Sequence, residues 1–286
     1  MQVYQYMESE HGKPVEAKKL FPVIQQKLKE VLTSLKDDDW DRHTLARLWS
    51  VKDVAAHILD GNLRALSLQR DGNKRIEAPK NRSYKDVVKW LNVTNAEWIV
   101  TARRLSPQVL VFLLEQTSQP LTDYFASLDA DAPSLYPVDW AGETESKNWL
   151  HVAREYSERW LHQQQIRDAV NKQDIITKEL FYPFMDTMMY GMPYTFRKAE
   201  AKEGTTVKID VTGDAGGQWL VTKNNDNWQL HKNNNIASDC EILIDPDTAW
   251  KLFSKGITPA TAKRKITING DEKLADTALS MVSVMA

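Results

Sequence analysis

The sequence predicts two architectures joined end to end, a helical domain over residues 1–202 and a small α/β domain over residues 203–286. Three observations carry this reading. Apolar residues recur at helical spacing from Val15 to about Lys202. The composition then switches between Ala201 and Gly204. From Thr205 the chain runs in short alternating stretches, TVKIDVTG, GQWLVTKNN and NWQLHKNN, broken by Gly-, Asp- and Asn-rich turns.

In order, Leu20, Val23, Ile24, Leu28, Val31, Leu32 and Leu35 give Val15 to Leu35 a helical stripe. KDDDWDRHTLARLW holds too many turn formers to continue it, and His43 in that acidic run reads as a surface residue. Ser50 followed by Asp53 is a capping-box variant that starts a helix at about Val51, stopped by Asp71-Gly72-Asn73. NKRIEAPKNR is a basic linker, and Ser83 caps a helix to Arg104. Ser106-Pro107 opens another to about Leu128, with Pro at the first helical position and Pro120 as a place where it kinks or divides. DADAPSLYPVDWAGETES has no periodicity and reads as a long loop, in which Trp140, Ala141 and Gly142 either line a site mouth or, for the Trp, pack on the helices. A helix over Ser146 to Asn171 follows, then one over Thr177 to about Lys202 whose methionines at 185, 188, 189 and 192 read as adaptable core or as a soft wall for a ligand. In the last domain Gly213-Asp-Ala-Gly-Gly is a hairpin turn, Cys240-EILID and Lys265-ITIN are strands, and helices run from Thr248 to Ser254 and from Asp271 through Met281.

The chain has 286 residues, 42% of them hydrophobic, which suits globular protein with a sizeable core. A formal charge of −2, from 37 basic and 39 acidic residues, gives no pull toward nucleic acid or anionic membrane. The N-terminus lacks an apolar leader and no stretch is long enough to span a membrane, so a cytoplasmic location is expected. The single cysteine, Cys240, excludes an internal disulfide framework and a cysteine-based zinc cluster, and its apolar strand suits a buried structural thiol. No heptad run demands a partner helix, although exposed helix faces would accommodate a homodimer.

Chemistry concentrates on the helix from Ser146 to Asn171. Glu158 and His162, four residues apart, project from one face, where a carboxylate and an imidazole can reach one ion. His151 and Glu155 fall near the same stripe, while Trp149, Val152, Ala153, Tyr156 and Trp160 gather behind. The plain alternative is that Glu158 pairs with Arg154 on a solvated face. A catalytic zinc normally takes three protein ligands, and the best third candidate is His57, about 60° from the inward stripe of Val54, Ile58, Ala65 and Leu68 by the 100°-per-residue count. His151 reads as a surface residue or as a group behind the ligands.

The run Trp49-Ser-Val-Lys-Asp-Val-Ala-Ala-His57, with Glu158-x-x-x-His162 and Gln165-Ile-Arg-Asp168 farther on, resembles the mycothiol-dependent maleylpyruvate isomerase family of DinB-like metalloproteins. The resemblance implies a DinB-like four-helix bundle with extra helices, followed by a sterol-carrier-like α/β domain. Gln218-Trp-Leu, the Trp228 strand, Asp247-Thr-Ala-Trp-Lys-Leu-Phe, Gly256-Ile-Thr-Pro and Asn269-Gly-Asp-Glu-Lys-Leu-Ala match the second domain. It also implies His57, Glu158 and His162 as ligands of a divalent metal, usually Zn2+, and a low-molecular-weight thiol of the mycothiol or bacillithiol type as cosubstrate.

In such a site the metal favours the thiolate form of the sulfur. The resemblance implies that addition to the activated double bond of maleylpyruvate then allows rotation, and that elimination returns fumarylpyruvate. Other members of the wider group transfer the thiol to an electrophile. The expected activity is therefore a metal- and thiol-dependent isomerase or S-transferase acting on a small electrophile. Its competitor is a metal-containing binding protein, without turnover, for a small apolar ligand. Arg167, whose guanidinium can grip a substrate carboxylate, and Arg264, which the resemblance implies as the arginine that neutralises an anionic substrate, are the candidate catalytic arginines. Arg167 has the alternative of a structural ion pair, and Arg264, within Lys263–Lys265, that of a solvated strand edge.

Overall fold

The computed structural model describes residues 15–73, 84–232 and 237–283. The basic linker after Asn73 and the Ser83 cap lie outside these residues. The described chain packs as two compact units. One comprises Glu16–Asp139 and Glu143–Phe184, the other Val15, Trp140–Gly142 and Met185–Ser283. Among the described residues no helix is long and apolar enough to cross a membrane.

The first unit is helical. α1 (Phe21–Thr33) starts later than its stripe suggests, after a single 3-10 turn at Lys18–Leu20. Pro22 explains the delay, because a residue without an N–H fits only the first turn. α2 (Val51–Arg64) has the expected cap: Ser50 Oγ accepts from the Asp53 N–H at 3.3 Å and Asp53 Oδ2 from the Ser50 N–H at 3.2 Å. It then widens into π-helical turns over Ala65–Arg70. α3 (Tyr84–Ala102) and α4 (Pro107–Ser127) follow, and α4 runs through Pro120 without dividing. α5 (Asn148–Ala169) is the chemistry-bearing helix. α2 packs against α3, α4 and α5, while α1 packs against α4 and α5, so α1, α2, α4 and α5 close a four-helix bundle with α3 outside α2. Val31, Val51, Val54, Leu59, Leu110 and Ile166 are at the heart of its core.

The helix expected over Thr177–Lys202 is two helices, α6 (Lys178–Met189) and α7 (Met192–Phe196), with the break at Tyr190-Gly191 and Pro193 in the first turn of α7. In the second unit five strands form one mixed sheet, β1 (Thr206–Val211), β2 (Gly217–Asn224), β3 (Asn227–Lys232), β4 (Cys240–Ile244) and β5 (Thr267–Gly270). Their order is β3-β2-β1-β4-β5, with only β1 and β4 parallel. Register puts Ile209 beside both Trp219 and Ile242, and Val207 beside Val221 and Cys240, so one buried face crosses the sheet. α8 (Pro246–Phe253), capped by Asp245, the short α9 (Pro259–Ala262) and α10 (Glu272–Leu279) complete the α/β unit, with α10 packed on β4 and α7.

Burial sorts three readings of the loops and side chains. Trp140 is buried, with its ring close to Gly191 between α6 and α7, as packing on helices requires. Lys263–Lys265 are exposed and precede β5 in a turn, so they form no strand edge. Met185, Met188, Met189 and Met192 are fully buried, as core filling requires.

Candidate metal centre

The back of α5 is fixed by aromatic contacts and hydrogen bonds. Tyr156 Oη donates to the Leu180 carbonyl at 2.7 Å, Trp160 Nε1 to the Ile175 carbonyl at 3.1 Å, and the Trp160 ring stacks on Phe184 with centroids 4.1 Å apart. With that side anchored, the opposite stripe presents Glu158 and His162. His162 Nε2 lies 3.3 Å from Glu158 Oε2. Arg154 takes no part, since it bonds Glu155 and His151 instead.

His57 arrives from α2. Its ring meets that of His162 edge to face, centroids 4.6 Å apart at 83°, and packs on Trp49 at 4.8 Å. His57 Nδ1 is sealed from solvent without a hydrogen-bond partner. Burial holds this imidazole well below its ordinary pKa, and the charges of His162, Arg64 and Arg159 add to the effect, so the ring is neutral near pH 7. A buried polar atom left unbonded costs about 1–3 kcal/mol and is uncommon enough to need a cause.

Gln165 Oε1 lies 3.0 Å from His162 Nδ1. Two proton arrangements satisfy this contact. If Nδ1–H donates to the Gln165 oxygen, a neutral ring turns the Nε2 lone pair toward the Glu158 carboxylate, and two acceptors at that distance need a proton or a cation between them. If the Gln165 amide is turned, Nδ1 accepts and Nε2–H donates to Glu158. The first arrangement is the one a metal-binding imidazole adopts. Two imidazoles and one carboxylate suit zinc or a similar divalent ion, and the orphaned His57 nitrogen fits such a role. Among the described residues no three His, Cys, Asp or Glu side chains stand together in a metal-holding arrangement. Two donor atoms meet, and the third side chain is set against them by its ring.

The other expected residues separate from this group. His151 is buried rather than at the surface, and together with Glu155 belongs to a polar cluster that contains Gln69, Arg154 and Arg159. Arg167 is also buried. Its Nε donates to Gln163 Oε1 at 3.2 Å, Nη1 to the Lys172 carbonyl at 3.1 Å and Nη2 to the Lys27 carbonyl at 2.7 Å, and it pairs with Asp174. Its guanidinium thus ties α5 to α1 and to the chain after α5, the structural alternative. Arg264 is exposed, with one long bond to Thr261 Oγ1 at 3.4 Å. The Cys240 thiol is pushed up to about 11, by burial first and then by Asp271 and Glu241, as befits an inert structural thiol. His43 is exposed. Sequence reasoning passed over Arg159 and Asn62, which meet at 2.9 Å inside the bundle, because Glu155 and Arg159 at i,i+4 look like an ordinary surface pair.

A sequence profile of the family described as mycothiol maleylpyruvate isomerase N-terminal domain matches residues 22–167, more than half of the chain. The chain belongs to that family. The family match spans His57, Glu158 and His162. Two crystal structures, of the mycothiol-dependent maleylpyruvate isomerase and of a histidine-to-alanine mutant of it, are each 12% identical to this family member. Each alignment covers 90% of this chain and 93% of the other, with TM-scores of 0.54 and 0.53. At that identity the likeness is one of fold, a helical bundle followed by a small α/β domain. The solution structure of sterol carrier protein domain 2 of Helicoverpa armigera matches 33% of this chain and 80% of its own, at 20% identity and a TM-score of 0.27. No curated protein matches the sequence.

Proposed function

We propose that this protein is a metal- and thiol-dependent isomerase or S-transferase acting on a small electrophile, with His57, Glu158 and His162 as the metal ligands. The observation that carries the reading is the meeting of Glu158 Oε2 with His162 Nε2, against an imidazole whose own buried Nδ1 has no partner. Family membership supports a low-molecular-weight thiol as cosubstrate. A bound divalent ion, zinc by its donor set, supplies positive charge that favours thiolate over thiol.

The chain's own residues prepare for this. Gln165 holds the His162 ring by its Nδ1, which leaves Nε2 directed at Glu158. Burial keeps His57 unprotonated, the form in which an imidazole can ligate. Trp49 covers one side of that ring and restricts its turning. Arg264, exposed and lightly bonded, is the arginine proposed to meet an anionic substrate. Arg167 is not proposed for that task, since its donors are committed to the fold.

Two measurements on the purified protein test the proposal. Elemental analysis should find about one divalent ion per chain, and incubation with mycothiol or bacillithiol plus maleylpyruvate or another electrophile should consume thiol or isomerise the substrate. Metal without either reaction would leave a binding protein, and absence of metal would refute the ligand assignment itself.

A further inference from the structure

α2 and α5 run antiparallel, since His57 meets His162, Asn62 meets Arg159 and Gln69 meets His151. That register sets Glu158 level with Gly61 and Asn62. Gly61 and Arg64 follow His57 at i+4 and i+7, so the three share one face of α2. The face that supplies one proposed ligand thus continues past the carboxylate of another, which is itself partly exposed.

Gly61 is a glycine without a structural reason. It sits inside α2, where glycine weakens a helix relative to alanine. Its φ is not left-handed, so the backbone does not demand it. Packing does not demand it either, because a Cβ built there would have no atom within 4 Å. Yet the residue is only partly exposed. Surroundings that cover it without touching it leave a recess on the His57 face.

Arg64 stands one turn beyond. Its side chain leans back toward His57, as helical side chains do, and brings Nε to 3.0 Å from Asp60 Oδ2. Both atoms are sealed from solvent, but they are too poorly aligned for a hydrogen bond, and among the described residues the guanidinium donates none. A third of the side chain, 35%, remains exposed. After burial and His162, the Arg64 charge lowers the His57 pKa most, ahead of Arg159, so it acts at the ligand group. Asp60 offsets this charge and Glu158 adds a second carboxylate, so the balance turns positive when a divalent ion is bound.

We propose that Arg64 and the recess at Gly61 form a carboxylate subsite beside the metal ligands, one that selects a small electrophile with an anionic end. The uncommitted guanidinium donates to the carboxylate oxygens, and the missing side chain at residue 61 makes room for the carbon skeleton between that carboxylate and the ion. The inference rests on the metal reading above. It concerns the bundle alone and is separate from the role proposed for Arg264.

Titration calorimetry with maleate on the zinc-loaded full chain tests it, with the neutral diamide maleamide as control and zinc affinity read separately by chelator competition. We expect one saturable site for maleate, at least about tenfold weaker in Arg64→Met, and no measurable binding of maleamide. Gly61→Leu, which fills the recess, should abolish maleate binding while zinc affinity and far-UV circular dichroism stay native. Gly61→Ala should raise the thermal midpoint, since alanine suits a helix and meets no atom there. Unchanged maleate affinity in Arg64→Met, binding that survives Gly61→Leu, or a lower midpoint in Gly61→Ala would overturn the subsite and leave the metal ligands standing. A protein that takes up no zinc would overturn both.

Discussion

His151 Nε2 lies 2.9 Å from Gln69 Oε1, where α2 has widened into π-helical turns, and on its other side His151 Nδ1 faces Arg154 Nη2 at 2.7 Å. The arginine can only donate, so Nδ1 must accept and the proton resides on Nε2. A second proton would meet the guanidinium. Burial, with Arg154 adding and Glu155 opposing, accordingly pushes the imidazole from 6.5 down to about 4. A histidine depressed in this way contributes stability that is full above its unfolded value and is lost as pH falls from 6.5 toward 4. At 1.36 kcal/mol per unit the loss is about 3 kcal/mol. Glu155 adds to it below its ordinary 4.5. Burial disfavours its charge, but Arg154 and Arg159 outweigh burial and hold it at about 2. Urea melts between pH 7 and 4.5 should show falling stability in the native protein and a shallower slope in His151→Gln. An unchanged slope would refute the assignment.

The sequence made local devices legible. The Ser50/Asp53 box, the Ser106-Pro107 start of α4, the Asp245 cap and the turn between β1 and β2 depend only on neighbours along the chain. The stripe of α5 that brings Glu158 to His162 is local in the same sense. The buried polar cluster was not legible, because Gln69, Asn62 and Thr117 come from helices far away in sequence and only packing turns them toward His151 and Arg159. For Arg167 the structural alternative was legible, and its partners Gln163, Lys172 and Asp174 are close in the chain, but the Lys27 carbonyl that ties it to α1 is 140 positions away.

The ligand assignment predicts graded losses of metal. Glu158→Gln and His162→Ala each remove one of the donor atoms that meet, and zinc affinity, measured by chelator competition, should fall at least about a hundredfold. Gln165→Ala leaves all three ligands in place but frees the His162 ring, so a smaller loss of about 10–100-fold is expected. Full zinc affinity in Glu158→Gln would remove the carboxylate from the set.

In the sheet-containing unit, the Asp186 carboxylate accepts from Trp219 Nε1 at 2.9 Å and from Lys232 Nζ at 2.7 Å, with Asp186 buried. Lys232→Met removes the opposing charge and leaves a buried carboxylate, which should cost about 3–5 kcal/mol in denaturant unfolding. Adding Asp186→Asn removes that charge as well, and the double variant should recover part of the loss. No recovery would mean that the single variant fails through packing rather than charge.

Gly270 ends β5 opposite Cys240, at φ +94°, and a Cβ built there would lie 2.0 Å from the Asp239 carbonyl oxygen. The neighbour is backbone and cannot swing aside. Gly270→Ala thus combines a left-handed conformation that disfavours side chains with a direct clash, and β5 must shift away from β4 to relieve it. The expected cost is at least about 2 kcal/mol, read as a lower thermal midpoint together with faster hydrogen exchange at the amides of Cys240–Ile244. Gly204→Ala is the control, because φ there is also positive, +84°, but no atom lies within 4 Å of the built Cβ. It should cost only the conformational part, about 1 kcal/mol, and leave exchange in β4 untouched. If the two variants lose equal stability, the close approach of the Asp239 backbone contributes nothing.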